Sequence, residues 1–394
     1  MPRVMRTGEM AAARQPDMPA ILRQGFRIFF LAAATWAALA MAIFIATLSG
    51  FDVISPAFGM VDWHVHEFLF GYTGAVIAGF LLTAVPNWTK RLPVSGARLL
   101  FLFLLWAVGR VAVAYSANSS AFLIASFDLA FPAWLVFVIA RELVAGRNFR
   151  NLRVLVLVTL FSAANVAYHY EVAVFGTADY SRRAGIAVIV LLIMVIGGRI
   201  IPSFTRNWLA QKGSESLPVP FGRYDGLTIL ASAAAFMTWI AAPDSVAAAI
   251  ALGLAGLLNL VRLARWKGWQ TFSEGLVAIL HVAYAFVPAG MIMVALSIIA
   301  PDRIPPTGAL HLLTAGAIGM MTLAVMTRAS LGHTGGKLHA GGTILAIYSA
   351  LALSVVLRFA YAVEPDSVFL IASGSLWILA FVLFGLRYAY MAVR

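Results

Sequence analysis

Long apolar runs alternate with short polar breaks along the whole chain. A helix needs about 20 apolar residues to cross a bilayer at 1.5 Å per residue. Such runs fall at 26–49, 68–86, 99–117, 121–140, 152–175, 185–201, 226–242, 246–262, 274–299, 308–328, 341–362 and 367–390. The pattern predicts an all-α fold, a polytopic membrane helical bundle of about 12 transmembrane helices. The breaks are short, so successive helices run antiparallel. Residues 1–24 read as a cytoplasmic N-terminal arm and 25–394 as a single transmembrane helical domain.

Composition agrees with that pattern. Of 394 residues, 62% are hydrophobic and 11% charged, against roughly 45–50% and about 25% in soluble domains. The mean hydropathy is +0.91. The charges then orient the bundle. One side collects all 28 Lys and Arg residues except Arg110, Arg182, Arg183, Arg303 and Arg358. The other side carries Asp52, Asp62, Glu67, Asp179, Asp244, Asp302, Glu364 and Asp366. Basic loops stay in the cytoplasm, so both termini are expected there, and a miscounted helix would scramble the alternation. The net charge of +12 therefore reports orientation in a lipid bilayer, not a nucleic-acid partner. The first run follows Arg3, Arg6, Arg14 and Arg23 and lacks a cleavage site after a short apolar core. It reads as an uncleaved span. The chain has no cysteine, which excludes disulfides, iron–sulfur clusters, thiolate haem ligation and cysteine nucleophiles. There is no Walker loop, dinucleotide fingerprint or serine-hydrolase elbow.

Charges inside spans are costly and mark partners or sites. Arg110 and Asp128 lie about equally far from the turn at Asn118–Ser120, so the two should meet at one depth. A buried ion pair locking the hairpin is the simpler reading. The alternative is that Arg110 anchors an anionic cofactor group. Arg358 has no evident partner within a span, which makes it a candidate to hold an anion such as a haem propionate. Spans two, six and ten end in Pro86-Asn87-Trp88-Thr89-Lys90, Pro202-Ser203-Phe204-Thr205-Arg206 and Met326-Thr327-Arg328. Either three four-helix units or the commonness of Thr and Arg at helix ends accounts for this echo, and the second is the simpler. Pro86, Pro202 and Pro288 could break their helices.

Histidine carries the candidate chemistry. His64 and His66 sit with Asp62 and Glu67 at the periplasmic mouth of span two. His311 opens span ten on the same side, and His169 lies near that end of span five, so these four can converge. His281 is near the cytoplasmic start of span nine. His333 and His339 lie just beyond the cytoplasmic end of span ten. On a continuous helix, residues two apart face opposite ways, so His64 and His66 would serve two surroundings. In a loop, both could reach one metal. Imidazole suits copper, iron and zinc, and Glu67 could hold a ligand's second nitrogen. Glu67 and Asp62 are candidate proton donors. Tyr284, one turn after His281, is either core or a proton donor. Met320, Met321 and Met326 read as apolar filler, and Gly71, Gly74 and Gly79 as close helix packing.

Four blocks resemble the NnrS family: Trp63–Arg91, Gly197–Leu209, His281–Gly290 and His311–Leu338. They run in the family's order and span most of the chain. The resemblance implies a polytopic protein of the bacterial inner membrane that binds haem b and copper and handles nitric oxide under nitrosative stress. The family's histidines fall here on His64, His66, His281, His311 and His333, whereas His169 and His339 lie outside its pattern. Where the family reads GHTGR, this chain has Gly332-His333-Thr334-Gly335-Gly336-Lys337, with the basic residue shifted by one.

The resemblance sets the expectations. Haem and copper should lie near one another at the periplasmic side on His64, His66 and His311. His281 would ligate a second centre or the other face of the haem. His333 is a further metal candidate, with a structural or proton-handling role the favoured one. The favoured function is a haem–copper oxidoreductase acting on nitric oxide, with an unknown electron donor. The alternatives are a 12-helix transporter of a metal or metal–NO species, and an accessory or sensor subunit. The adjacent His-His pair and His-Pro-Glu motif of the haem–copper oxidases are absent.

Overall fold

The computed structural model describes residues 18–393. Most of the N-terminal arm, including Arg3, Arg6 and Arg14, lies outside the described residues. Among the described residues, twelve helices are long and apolar enough to cross a membrane, and there is no strand. They are α1 (Gly25–Leu48), α2 (Met60–Thr89), α3 (Ala97–Ala114), α4 (Ala121–Ala145), α5 (Leu152–Phe175) and α6 (Tyr180–Gln211). Then come α7 (Arg223–Ala241), α8 (Val246–Ala264), α9 (Gly275–Ile299), α10 (Pro306–His333), α11 (Gly342–Val363) and α12 (Ser367–Val393). Leu104, Val111, Phe122, Leu230, Leu254 and Val356 are large, apolar and exposed. In a span, lipid is the solvent for such side chains.

Every expected span is present, but hydropathy placed several ends short. α2 begins at Met60 rather than 68, α6 covers 180–211 rather than 185–201, and α10 covers 306–333 rather than 308–328. His333 is therefore the last residue of α10, not a residue beyond it. The added turns are polar, and buried partners rather than lipid hold them helical. Pro86, Pro202 and Pro288 each sit inside an unbroken helix. Proline is tolerated in membrane helices because neighbours satisfy the carbonyl it frees.

The chain divides into two compact units. Of the described residues, 18–185 with 381–393 form the first and 186–380 the second. In the first unit α2 is the central helix, with α1 and α4 packed on it and α3 and α5 packed on α4. In the second, α8 packs between α7 and α9, α9 packs on α10, and α10 on α11. The echo at the ends of spans two, six and ten does not coincide with this division. It does have a shared local geometry. The buried hydroxyls of Thr89, Thr205 and Thr327 each donate to the carbonyl four residues back, at 2.9, 2.9 and 2.8 Å. These three helices are also the most buried. In their most apolar 18 residues, 78% of α2 and 67% of α6 and α10 is buried, against 50% or less in the other helices.

Both α2 and α10 contain a π-helical segment, Glu67–Tyr72 and Leu312–Gly319. Each directly follows a histidine, His66 or His311. A π turn inserts an extra residue and loosens the carbonyl ladder, and such segments concentrate at functional sites. Side chains repair the ladder in α2. Trp106 Nε1 donates to Gly71 O (2.9 Å) and Thr73 Oγ1 to Phe68 O (2.9 Å).

At the arginine-rich end of the second unit, Glu274 caps α9. Its carboxylate accepts from Leu276 N (3.2 Å), Ala340 N (3.0 Å) and His339 Nδ1 (2.9 Å). It thereby pins the segment between α10 and α11. Burial pushes this carboxyl up, but the His339 contact and the two amides outweigh burial and hold it below the ordinary glutamate range. A depressed carboxyl stabilises the fold above its unfolded value, about 4.3. That contribution is lost as pH falls through the folded value. Thermal unfolding in detergent across pH should show an acid-side loss of stability that is reduced in Glu274→Gln. Identical pH slopes for the two proteins would reject this assignment.

Candidate metal centre

In the first unit, α2, α3, α4 and α5 bring a polar cluster together in the interior of the helical packing. His66, Glu67 and Asp128 are at 0–1% exposure, Asn165 at 2%, Arg110 at 3% and His169 at 6%. Arg110 is the hinge of the cluster. Its Nη1 donates to Glu67 Oε2 (2.6 Å) and its Nη2 donates to Asp128 Oδ1. The expected Arg110–Asp128 meeting is therefore present, and Glu67 joins it. Trp36 Nε1 of α1 also donates to Glu67 Oε2 (2.7 Å).

The other face of Asp128 gathers three donors. Asn165 Nδ2 donates to its Oδ2 at 2.8 Å, and His169 Nε2 and His66 Nε2 approach the same oxygen at 2.9 and 3.1 Å. His66 Nε2 also lies 3.1 Å from Asn165 Oδ1, while its Nδ1 lies 3.0 Å from Glu67 Oε1. Both nitrogens of His66 thus face acceptors only, so each must carry a proton or a cation. Two carboxylates against one guanidinium leave the buried cluster short of one positive charge, which lipid surroundings do not tolerate uncompensated.

His66, Asp128 and His169 each offer a ligand atom, and the three atoms lie within 4.8 Å of one another. Four-coordinate metal–nitrogen bonds of about 2.0–2.1 Å put neighbouring donors roughly 3.3 Å apart. The observed 2.9 and 3.1 Å contacts need widen only slightly to admit an ion. Glu67 on His66 Nδ1 is the partner a metal-bound imidazole usually has on its other nitrogen. The donor set therefore fits a small transition-metal ion. Phe58, in the segment before α2, sets its edge against the rings of His66 (5.4 Å) and His169 (5.5 Å) and keeps the site dry.

The remaining candidates are described in turn. His64 shares the helical stretch Met60–His66 with His66, so its ring faces another way. It stacks on Phe44 at 4.2 Å and meets Phe68 at 4.7 Å. The arrangement in which both rings reach one metal from a loop is therefore not the one formed. His281, His311, His333 and His339 belong to the second unit. The Thr205 hydroxyl proton goes to Ile201 O, so His281 Nε2–H donates to Thr205 Oγ1 (2.7 Å). Among the described residues, His281 Nδ1 is left buried without a partner, with Gly268 packed against that edge of the ring. Tyr284 is fully buried, and its hydroxyl donates to Asn259 Oδ1 and accepts from Arg262 Nη1, both at 2.8 Å. Arg262, counted from sequence as a loop charge, is also fully buried and pairs with Asp225 (2.8 Å). His333 is half-buried at the end of α10.

From the sequence, His169 stood at the same depth as His66 and able to converge with it but outside the family pattern, Asp128 was a partner of Arg110, and Asn165 was not singled out. The signal was available. Asn165 and His169 are four residues apart on one helix face, near the end of α5 where His66 enters.

A family model described as NnrS protein matches residues 20–394. The chain belongs to the NnrS family. No curated protein and no solved structure matches it. The buried cluster of this NnrS protein draws His66 and Glu67 from the block Trp63–Arg91, but Asp128, Asn165 and His169 from outside the four blocks.

Gly71 decides whether the charged half of the cluster can close. A Cβ there would lie 2.6 Å from both Arg110 Nη1 and Glu67 Oε2, and 3.0 Å from Trp36 Nε1. Gly71→Ala should therefore separate the ion pair, at a cost of about 3–5 kcal/mol, the range for breaking a buried pair. Unfolding measurements should place it close to Arg110→Ala. An alanine variant as stable as wild type would show that the pair tolerates the intrusion.

Proposed function

We propose that this NnrS protein holds copper at His66 Nε2, His169 Nε2 and Asp128 Oδ2 and uses the site to handle nitric oxide within the bacterial inner membrane. The observation that carries the reading is the convergence of two imidazoles and a carboxylate in a dry cluster lacking one positive charge. A cuprous ion matches that deficit, and two imidazoles with a carboxylate suit copper, iron or zinc among common ions. When bound, copper supplies a redox-active Lewis acid that takes a diatomic ligand.

The protein's own part is positioning. Glu67 fixes His66 through Nδ1, Arg110 and Asn165 hold the two oxygens of Asp128, and Phe58 excludes water. Nitric oxide is small, neutral and soluble in lipid, so a site sealed within the spans needs no aqueous entry. Haem b is the second group of the reading, and oxidoreductase activity with an external electron donor is its enzymatic form. The arginine-rich loops support a cytoplasmic location for both termini.

Metal analysis of the purified protein tests the site. Wild type and His64→Ala should carry copper in equal amounts. His66→Ala, His169→Ala and Asp128→Asn should each lose most of it. Full copper in all three cluster variants, or none in wild type, would remove the reading.

A further inference from the structure

The second unit has an imidazole and a guanidinium that lack protein partners in complementary ways. His311 Nδ1 lies 2.7 Å from Thr307 O, an acceptor, so the ring proton sits on Nδ1. Nε2 then carries a bare lone pair, and it makes no hydrogen bond among the described residues. This is the presentation of a metal-binding histidine, with its second nitrogen fixed by a carbonyl. Arg358 lies inside α11 and, among the described residues, makes no ion pair or hydrogen bond. Its guanidinium sits over the Tyr361 ring (5.2 Å), and its buried Nη1 has no partner. Glu364 and Asp366 follow shortly after, yet neither pairs with it. An unpaired arginine inside a span marks a functional site by default.

The helices bring these two groups together. A Cβ added at Gly308 would lie 2.8 Å from Ala362 Cβ and 3.3 Å from Phe359 Cδ2, so α10 and α11 touch closely there. The helices are antiparallel. One turn deeper from this contact is His311 on α10, three residues after Gly308. One turn deeper on α11 is Arg358, four residues before Ala362. Residues three or four apart share a helix face, so His311 and Arg358 face each other. Arg358 is accordingly the charged group that acts electrostatically on His311. His311 also opens a π-helical segment, as His66 does in α2.

A free metal cation at His311 Nε2 would be repelled by the adjacent guanidinium. A ligand that suits both groups must bring a metal and its own negative charge. We infer that His311 and Arg358 form a seat for an anionic metal chelate, with Nε2 on the metal and the guanidinium on a carboxylate of the chelate. The inference rests on the haem part of the proposed function and goes beyond it. It assigns an iron porphyrin dicarboxylate to the second unit and leaves the bare copper ion to the first. His311 is then not a copper ligand.

Two porphyrin probes test the seat in the purified full chain, iron protoporphyrin and its dimethyl ester. His311→Gly should lose the absorption and electron-paramagnetic signature of imidazole-ligated iron, regain it with added imidazole, and keep its copper. Retained copper shows that the variant is folded. Arg358→Gln should weaken iron protoporphyrin binding roughly tenfold to a hundredfold, the worth of a hydrogen bond to a charged group. The same variant should leave ester binding unchanged, and Arg358→Lys should recover most of the loss. An unaltered iron signature in His311→Gly, or equal weakening of both probes by Arg358→Gln, overturns the seat. Either result with copper still lost from the His66 variants rejects the seat alone. Absence of both metals from wild type rejects the proposed function as well.

Discussion

A guanidinium shared between two carboxylates is the constraint on which the first unit depends. Arg110 reaches Glu67 on α2 and Asp128 on α4 from its own place on α3. None of these groups is tolerable alone in lipid. Their mutual neutralisation ties three helices at one depth, and it needs the bare backbone of Gly71 to let the side chains meet. The same neutralisation leaves one negative charge, and with it the electrostatic demand that His66 and His169 answer. Packing and candidate chemistry are therefore one problem here.

Three histidines illustrate how hydrogen-bond accounting separates roles that a residue count treats alike. His66 faces acceptors on both nitrogens, which is a demand for positive charge. His281 donates from Nε2 to a threonine whose own proton is committed, and Gly268 closes over its other edge. That is the arrangement of a packed core residue. His311 has its proton fixed by a carbonyl and its lone pair presented beside an unpaired arginine. The π-helical segments after His66 and His311 fall where the backbone must aim a side chain, and in α2 Trp106 and Thr73 take up the carbonyls this frees.

Much of the fold was legible in the sequence because lipid imposes a simple rule on a helix. Apolar length gave twelve spans, and the alternation of basic and acidic loops supported that count. The pairing of Arg110 with Asp128 followed from their equal distance from one turn. The ends of α2, α6 and α10 were misjudged because hydropathy measures affinity for lipid, and these turns are held by protein contacts. His64 and His66 could be separated only conditionally, since their divergence depends on Met60–His66 being helical.

The sequence by itself determined a helical membrane protein, its family, and the residue types available for chemistry, because those follow from local composition and spacing. Tertiary structure alone decided that Asp128, Asn165 and His169 meet His66, that Glu67 is sealed inside rather than open at a mouth, and that Arg358 faces His311. Such meetings depend on rotation of one helix against another. Side-chain packing at Gly71 and Gly308 sets that rotation, and no pattern within a single helix encodes it.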